Sequence, residues 1–347
     1  MVEVPETMRR IAVILGAGAS ADAWNETGPP RNQAWQPPLA RELFGQREAF
    51  WPILERYPGA HVISADLGEL VRTGAVNIES KLREYAEHSD PRIRNHFKQV
   101  PPYLRDLMNQ VVTSFTGRSA LPGTHLRLVA NLLATQARFA FIDLNYDDYL
   151  EMSLGRFDEK LLIRGMADYT ADERQAIVAK VHGSVHWGMP LSYPGNLFSL
   201  LPGFDPTGPR IETIFNPSRT DTREWTHSER RVPLYPVLTA PLAGKGHVDL
   251  VCPISHLKAL QEFLGQCEEY LIIGTSGQDE DLHGFLRQHV KKVTKVHCVS
   301  VSVDEAERVR ERLTNACPPL AHDRWKLVGR GFRAYLDSEE FRAFLKE

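Results

Sequence analysis

The stretch Ile11-Ala-Val-Ile-Leu-Gly-Ala-Gly-Ala-Ser-Ala-Asp22 decides the fold. Its five leading apolar residues are rich in β-branched side chains, the composition of a short strand buried on both faces. Gly16 and Gly18 then permit a tight turn and a close backbone approach, and Ala19 to Ala21 can open a helix. The first amides of such a helix lack intrahelical partners, and together with the helix dipole they suit a pyrophosphate. The spacing Gly16-x-Gly18-x-x-Ala21 matches the looser dinucleotide fingerprint. An ordinary strand-to-helix turn is the competing reading. The usual sequel, a second strand ending in an acidic residue about 20 positions on, is missing. The chain enters Trp24-Asn-Glu-Thr-Gly-Pro-Pro30 instead, which argues against a dehydrogenase.

The 347 residues suffice for one large domain or two modest ones. With 42% hydrophobic and 24% charged residues, the composition is that of a globular protein. The formal net charge of -3 provides no bulk attraction to nucleic acid or anionic membrane, and direct nucleic-acid binding is not indicated. No apolar run approaches the ~20 residues that span a bilayer. The first ten residues do not read as a secretory signal, so the cytoplasm is the expected compartment. The four cysteines, Cys252, Cys267, Cys298 and Cys317, form no Cys-x-x-Cys pair. Buried reduced thiols are expected, and neither a zinc nor any other metal site is.

Working outward, residues 28–123 carry prolines and amphipathic patches at 39–50, 78–87 and 103–115, which read as a mostly helical insertion. Regular α/β order resumes with a helix from Thr124 and a strand at Phe139-Ala-Phe-Ile-Asp-Leu144 that ends in Asn145-Tyr-Asp-Asp148. A further strand, Ile177 to Val181, runs into His182-Gly183. Residues 188–247 are rich in proline, glycine and polar side chains, and are expected to form short strands or covering loops. Strands follow at 248–252, at Glu269-Tyr-Leu-Ile-Ile273 before Gly274-Thr-Ser-Gly277, at 295–302 and near 325–328. Helices are expected over 256–267, 279–290 and 302–313, and from 337 onward. The fold class is therefore α/β, a Rossmann-like doubly wound parallel sheet with a helical insertion. The sheet domain comprises 1–27 and 124–347. The insertion 28–123 would be a lid or an oligomer or partner surface.

Parallel sheets bind ligands beyond the carboxyl ends of their strands. Four such ends carry polar or glycine-rich turns: 16–20, 145–147, 182–183 and 274–276. One sheet would bring them to a single rim. Asn145 and Asp147 could instead cap the following helix, and His182 could be a structural histidine. His182 and His186 stand four apart, but Gly183 disfavours the helix that a metalloprotease motif needs. Asp143, Asp147 and Asp148 suggest a metal nuclease only weakly.

The Gly-Ala-Gly-Ala-Ser turn (16–20), Asn145-Tyr-Asp147, Lys180-Val-His-Gly183 and Gly274-Thr-Ser276 with Asp281 resemble, in order, the motifs of the sirtuin family. The wording Asn-Tyr-Asp-Asp and His-Gly-Ser, with no cysteine pairs, looks more like the bacterial sirtuin-like branch of antiphage defence. The resemblance covers 11–22, about 124–187 and 248–303. It implies NAD as substrate, with Gly16, Ala17, Gly18, Ala19, Ser20, Asn145, Asp147, Gly274, Thr275, Ser276 and Asp281 binding it. It implies Asn145 and His182 as the catalytic pair, with Asp147 assisting. The absent cysteine pairs, and an absent Pro-Asp-Phe-Arg loop after the glycine turn, speak against acyl-lysine recognition. The expected reaction is hydrolysis of the nicotinamide–ribose bond to nicotinamide and ADP-ribose, depleting NAD in antiphage defence. Homo-oligomerisation and a HerA-type ATPase partner follow from the same resemblance. The alternatives are an NAD-dependent protein deacylase or ADP-ribosyltransferase, or a non-catalytic subunit that senses NAD or ADP-ribose.

Overall fold

The structure, a computed structural model, describes residues 8–24, 33–44, 47–72, 78–116, 122–191, 212–229, 231–238, 252–321 and 323–346. At its centre is a six-stranded sheet. The strands are β1 (Arg10–Leu15), β2 (Arg138–Asp143), β3 (Ala176–Lys180), β7 (Glu269–Ile273), β8 (Lys295–Ser300) and β9 (Trp325–Gly329). Their order is β3-β2-β1-β7-β8-β9, and every neighbouring pair is parallel. The order turns back between β1 and β7, the switch point at which doubly wound sheets open a crevice for ligands. Continuous apolar runs such as Ile11 to Leu15 and Tyr270 to Ile273 are buried throughout, as strands covered on both faces must be.

The expected Rossmann-like sheet is therefore present, and its strand ends align. Leu15 pairs with Asp143, Asp143 with Lys180, and Leu15 with Ile273. The turns that follow these four residues start from one row across the sheet.

A second sheet is three-stranded and antiparallel; two of its strands fall within 188–247, where short strands or covering loops are expected, and its remaining strand, over 183–190, is not read from the sequence. The sheet comprises β4 (Gly183–Pro190), β5 (Ile214–Phe215) and β6 (Leu234–Leu238), in the order β5-β4-β6. Two residues separate the end of β3 from the start of β4. The chain changes sheets at Gly183, whose φ of +87° suits glycine and whose added Cβ would lie 2.0 Å from the Val237 carbonyl oxygen. His182 thus stands at the corner between the two sheets. The strand expected over 248–252 lies outside the described residues except for Cys252, which is not in a strand.

The described part of 28–123 contains no strand; its helices include α3 (Pro58–Arg72), α5 (Pro91–Phe97) and α6 (Val100–Thr116). Aromatic and aliphatic side chains of this region pack around Phe50, Leu54, Tyr57, Tyr103 and Leu107, a cluster separate from the one around the main sheet. The buried Arg105 guanidinium lies 4.0 Å from the Trp225 ring centroid and donates to the Ser218 and Thr220 carbonyls at 2.7 Å. It fastens the 218–225 segment to the insertion, because a planar fork can serve two acceptors and stack at once. Among the described residues, no helix is long and apolar enough to cross a membrane.

Candidate functional site

The glycine turn joins the site at the switch point. Helix α1 (Ala17–Trp24) starts two residues before Ala19, where the sequence places its opening. The Gly16 amide donates to the Ile273 carbonyl at 2.9 Å, and Gly18 to the Gly274 carbonyl at 2.8 Å. A Cβ on Gly16 would stand 2.6 Å from the Gly274 carbonyl oxygen, and one on Gly18 would stand 2.9 Å from Gly274 Cα. The close approach these glycines permit is therefore to the opposite turn of the protein itself. Ala19 donates its amide to the Gly16 carbonyl at 2.9 Å. Two of the amides expected to meet a phosphate, those of Gly18 and Ala19, are thus spent on internal contacts.

From β2, Asn145 reaches back to this turn. Its Nδ2 donates to the Gly16 carbonyl at 3.1 Å, and its own amide donates to Asp143 Oδ1 at 3.0 Å. Asn145 therefore does not cap the next helix, α8 (Tyr149–Phe157). The N-cap is Asp148, whose side chain makes no cap hydrogen bond; Asp147, one residue before it, accepts the first helical amide, that of Tyr149, on Oδ1 at 3.2 Å. Burial raises the Asp147 pKa, opposed by the charge of Lys180. The buried Ser20 hydroxyl also favours the Asp147 charge, although it stands short of hydrogen-bond geometry.

Beneath this loop lies a buried cation. Lys180 Nζ, fully buried, donates to Asp143 Oδ2 at 2.8 Å, approaches Glu151 Oε1 at 3.3 Å, and donates to the Asp147 carbonyl. Burial works against its charge, but the carboxylates of Asp143, Glu151 and Asp147 outweigh that and raise its pKa. Burial likewise pushes Glu151 up to about 7, with Lys180 opposing. In the sequence Lys180 stands only as part of the Lys-Val-His-Gly motif; its role as the shared partner of these carboxylates is not legible from spacing.

His182 meets a carboxylate from the far side of the switch point. Its Nε2 lies 2.7 Å from Asp279 Oδ2. Asp279 caps helix α10 (Glu280–His289) by accepting the Leu282 amide on Oδ1 at 2.9 Å. Burial disfavours the Asp279 charge, but His182, the Leu282 amide and His283 together outweigh it and lower its pKa. An ionised carboxylate can only accept, so Nε2 carries the proton in this pair. Asp281, expected from the resemblance on the NAD-binding side, is buried in the first turn of α10, two positions beyond the residue at His182; no partner for His182 is read from the sequence. The available signal was the cap pattern itself, an Asp before Glu280 and Asp281.

A second histidine–aspartate pair stands alongside. His186 Nε2 lies 2.9 Å from Asp148 Oδ2, which also accepts from Arg219 Nη2. His186 and Arg219 hold the Asp148 pKa well below the usual range despite burial. The three aspartates at 143, 147 and 148 thus serve a lysine, a helix start and a histidine–arginine pair. Among the described residues, no three His, Cys, Asp or Glu side chains gather as a metal site would need.

On the β7 side, Thr275 is partly exposed and Ser276 exposed. Thr275 Oγ1 accepts the Gly277 amide at 3.1 Å, and the Ser276 carbonyl accepts from Arg312 Nη1 at 2.6 Å. The structure therefore brings 16–20, Asn145, His182 and 274–276 to one rim, with Asp147 bonded to the helix start below it.

No family model matches this chain, and no curated protein matches it. Among solved structures it is similar to a mutant Sir2 homologue in complex with 2′-O-acetyl ADP ribose, at 12% identity and a TM-score of 0.47, covering 98% of this chain and 95% of that one. It is also similar to a Sir2 homologue–NAD complex, at 11% identity and a TM-score of 0.39, covering 91% and 92%.

Proposed function

We propose that the chain is a sirtuin-like NAD glycohydrolase that releases nicotinamide and ADP-ribose. The observation that supports this most is the meeting of Asn145 and the His182–Asp279 pair with the glycine turn at the β1/β7 switch point. The nicotinamide of NAD leaves as a neutral molecule, so its departure needs no strong general acid. An oxocarbenium-like sugar is relieved by a positioned water and by nearby negative charge. Asn145 offers an amide donor and acceptor to the ribose hydroxyls or that water. His182 is placed to take the proton. Asp147 adds negative potential. The amides of Ala17 and Ser20, with Thr275 and Ser276, are assigned to the phosphates and the adenosine side; Gly16, Gly18, Ala19 and Gly274 shape that cradle, and Asp281 supports it.

The deacylase and ADP-ribosyltransferase readings require a second substrate, whereas the glycohydrolase requires only water. Incubating NAD with the purified chain and separating the products distinguishes them. Equimolar nicotinamide and ADP-ribose without any peptide supports the glycohydrolase. Release only when an acyl-lysine peptide is added supports the deacylase. NAD bound but intact, alone and with a HerA-type ATPase, supports the sensing subunit. Within this reading the activity serves antiphage NAD depletion in the cytoplasm, and the 28–123 insertion is the surface for self-assembly or for the ATPase.

A further inference from the structure

We propose that Asp279 is the positioning residue for His182, fixing its ring so that Nε2–H faces the carboxylate and Nδ1 presents the lone pair that accepts the proton. This rests on the glycohydrolase reading. The two residues are 97 positions apart in sequence and come from different strand-to-helix units, so their 2.7 Å contact is made only when the switch point closes. Asp279 is itself held: Oδ1 accepts the Leu282 amide at 2.9 Å, leaving Oδ2 aimed at the imidazole. A cap requires one oxygen. The second oxygen, shielded with its histidine from most solvent (side chains 12% and 9% exposed), supplies what a cap does not need. His182 stands where the chain turns from β3 into β4, a corner that fixes its backbone through Gly183. Backbone and ring are thus fixed by separate parts of the fold, as a proton acceptor of defined direction requires.

In the reaction, the bond between the ribose C1′ and the nicotinamide nitrogen breaks, and its electron pair neutralises the departing ring. A water oxygen bonds to C1′ and gives up one proton. His182 Nδ1 receives it, the resulting imidazolium is stabilised by Asp279, and the proton passes to solvent. The balance is NAD⁺ plus water giving nicotinamide, ADP-ribose and H⁺.

Two variants separate positioning from capping. Asp279→Asn keeps both the reach and the cap but removes the charge. Asp279→Ser keeps the cap and loses the reach. Both are expected to fold, to lower kcat for NAD cleavage by about 10²-fold through misplacement of the base, and to leave KM within about threefold. The ¹⁵N spectrum of histidine-labelled protein, with the His182 signals identified by His182→Ala, is expected to show protonated Nε2 in the wild type and mixed tautomers in Asp279→Ser. Unchanged kcat in both variants, or unchanged His182 nitrogen signals in Asp279→Ser, would overturn the proposal while His182→Ala remained inactive. A His182→Ala protein that cleaves NAD at the wild-type rate would overturn the assignment of His182 as proton acceptor, and with it the role of Asp279; a wild type that binds NAD and leaves it intact would overturn the glycohydrolase reading itself.

Discussion

The Gly18 amide donates to the Gly274 carbonyl at 2.8 Å, joining two turns from distant parts of the chain at the switch point. Gly274 adopts φ +65°, and a Cβ there would lie 2.3 Å from the Ala19 nitrogen. Gly274→Ala therefore combines a left-handed backbone with a clash against main chain. It is expected to destabilise the fold by at least about 2 kcal/mol. Gly68→Ala is the control. It lies in α3, where an added Cβ meets nothing within 4 Å, and it is expected to stabilise by about 0.5–1 kcal/mol. Urea titration of the two variants checks both signs.

Lys180→Met tests the buried cation. It would leave Asp143 and Glu151 facing one another without their shared partner. The expected loss is about 3–5 kcal/mol, the cost of breaking rather than replacing a buried pair. Adding Asp143→Asn and Glu151→Gln removes the stranded charges, so the triple variant should recover a substantial part of that loss in the same titration. Equal stability of single and triple variants would show that the carboxylates do not depend on Lys180.

Acid stability follows from histidines buried in neutral form. Burial lowers both His125 and His256 to about 4, with Asp143 opposing in one case and the Met166 carbonyl in the other. A histidine with a lowered folded pKa binds fewer protons in the folded state than in the unfolded state. Its stabilising contribution is thus intact above about pH 6.5 and is lost as pH falls toward about 4. Each should cost ~2 kcal/mol between neutrality and pH 5. Asp148 and Asp279, whose pKa values are lowered, add losses only at more acid pH. The melting temperature of the wild type should fall from pH 7 to pH 5, and His125→Gln should flatten that slope.

The parts of the fold legible in the sequence were those carried by local pattern. Ile11 to Leu15 and Tyr270 to Ile273 read as two-face-buried strands because every residue in them is apolar, and both occupy the centre of the sheet. The row Leu15, Asp143, Lys180 and Ile273 vindicated the inference that four distant turns share a rim. What escaped was set by tertiary contact. The β4 strand follows β3 after two residues, so no spacer marks it; only the left-handed Gly183 separates them. Asp279 at His182 is not legible, because motif spacing does not say which carboxylate of a helix start turns toward a residue 97 positions away. Asn145 and Asp147 read alike as candidate caps; neither is the N-cap, which is Asp148, and the structure turns Asp147 to the Tyr149 amide and Asn145 to Gly16.

The most direct test is nicotinamide release from NAD by the wild type, Asn145→Ala and His182→Ala, with NAD binding measured by calorimetry on the same preparations. All three are expected to bind NAD within about threefold of one another, and the two variants to lose release by at least about 10²-fold. Release at the wild-type rate by either variant would contradict the assignment of Asn145 and His182 as the catalytic pair.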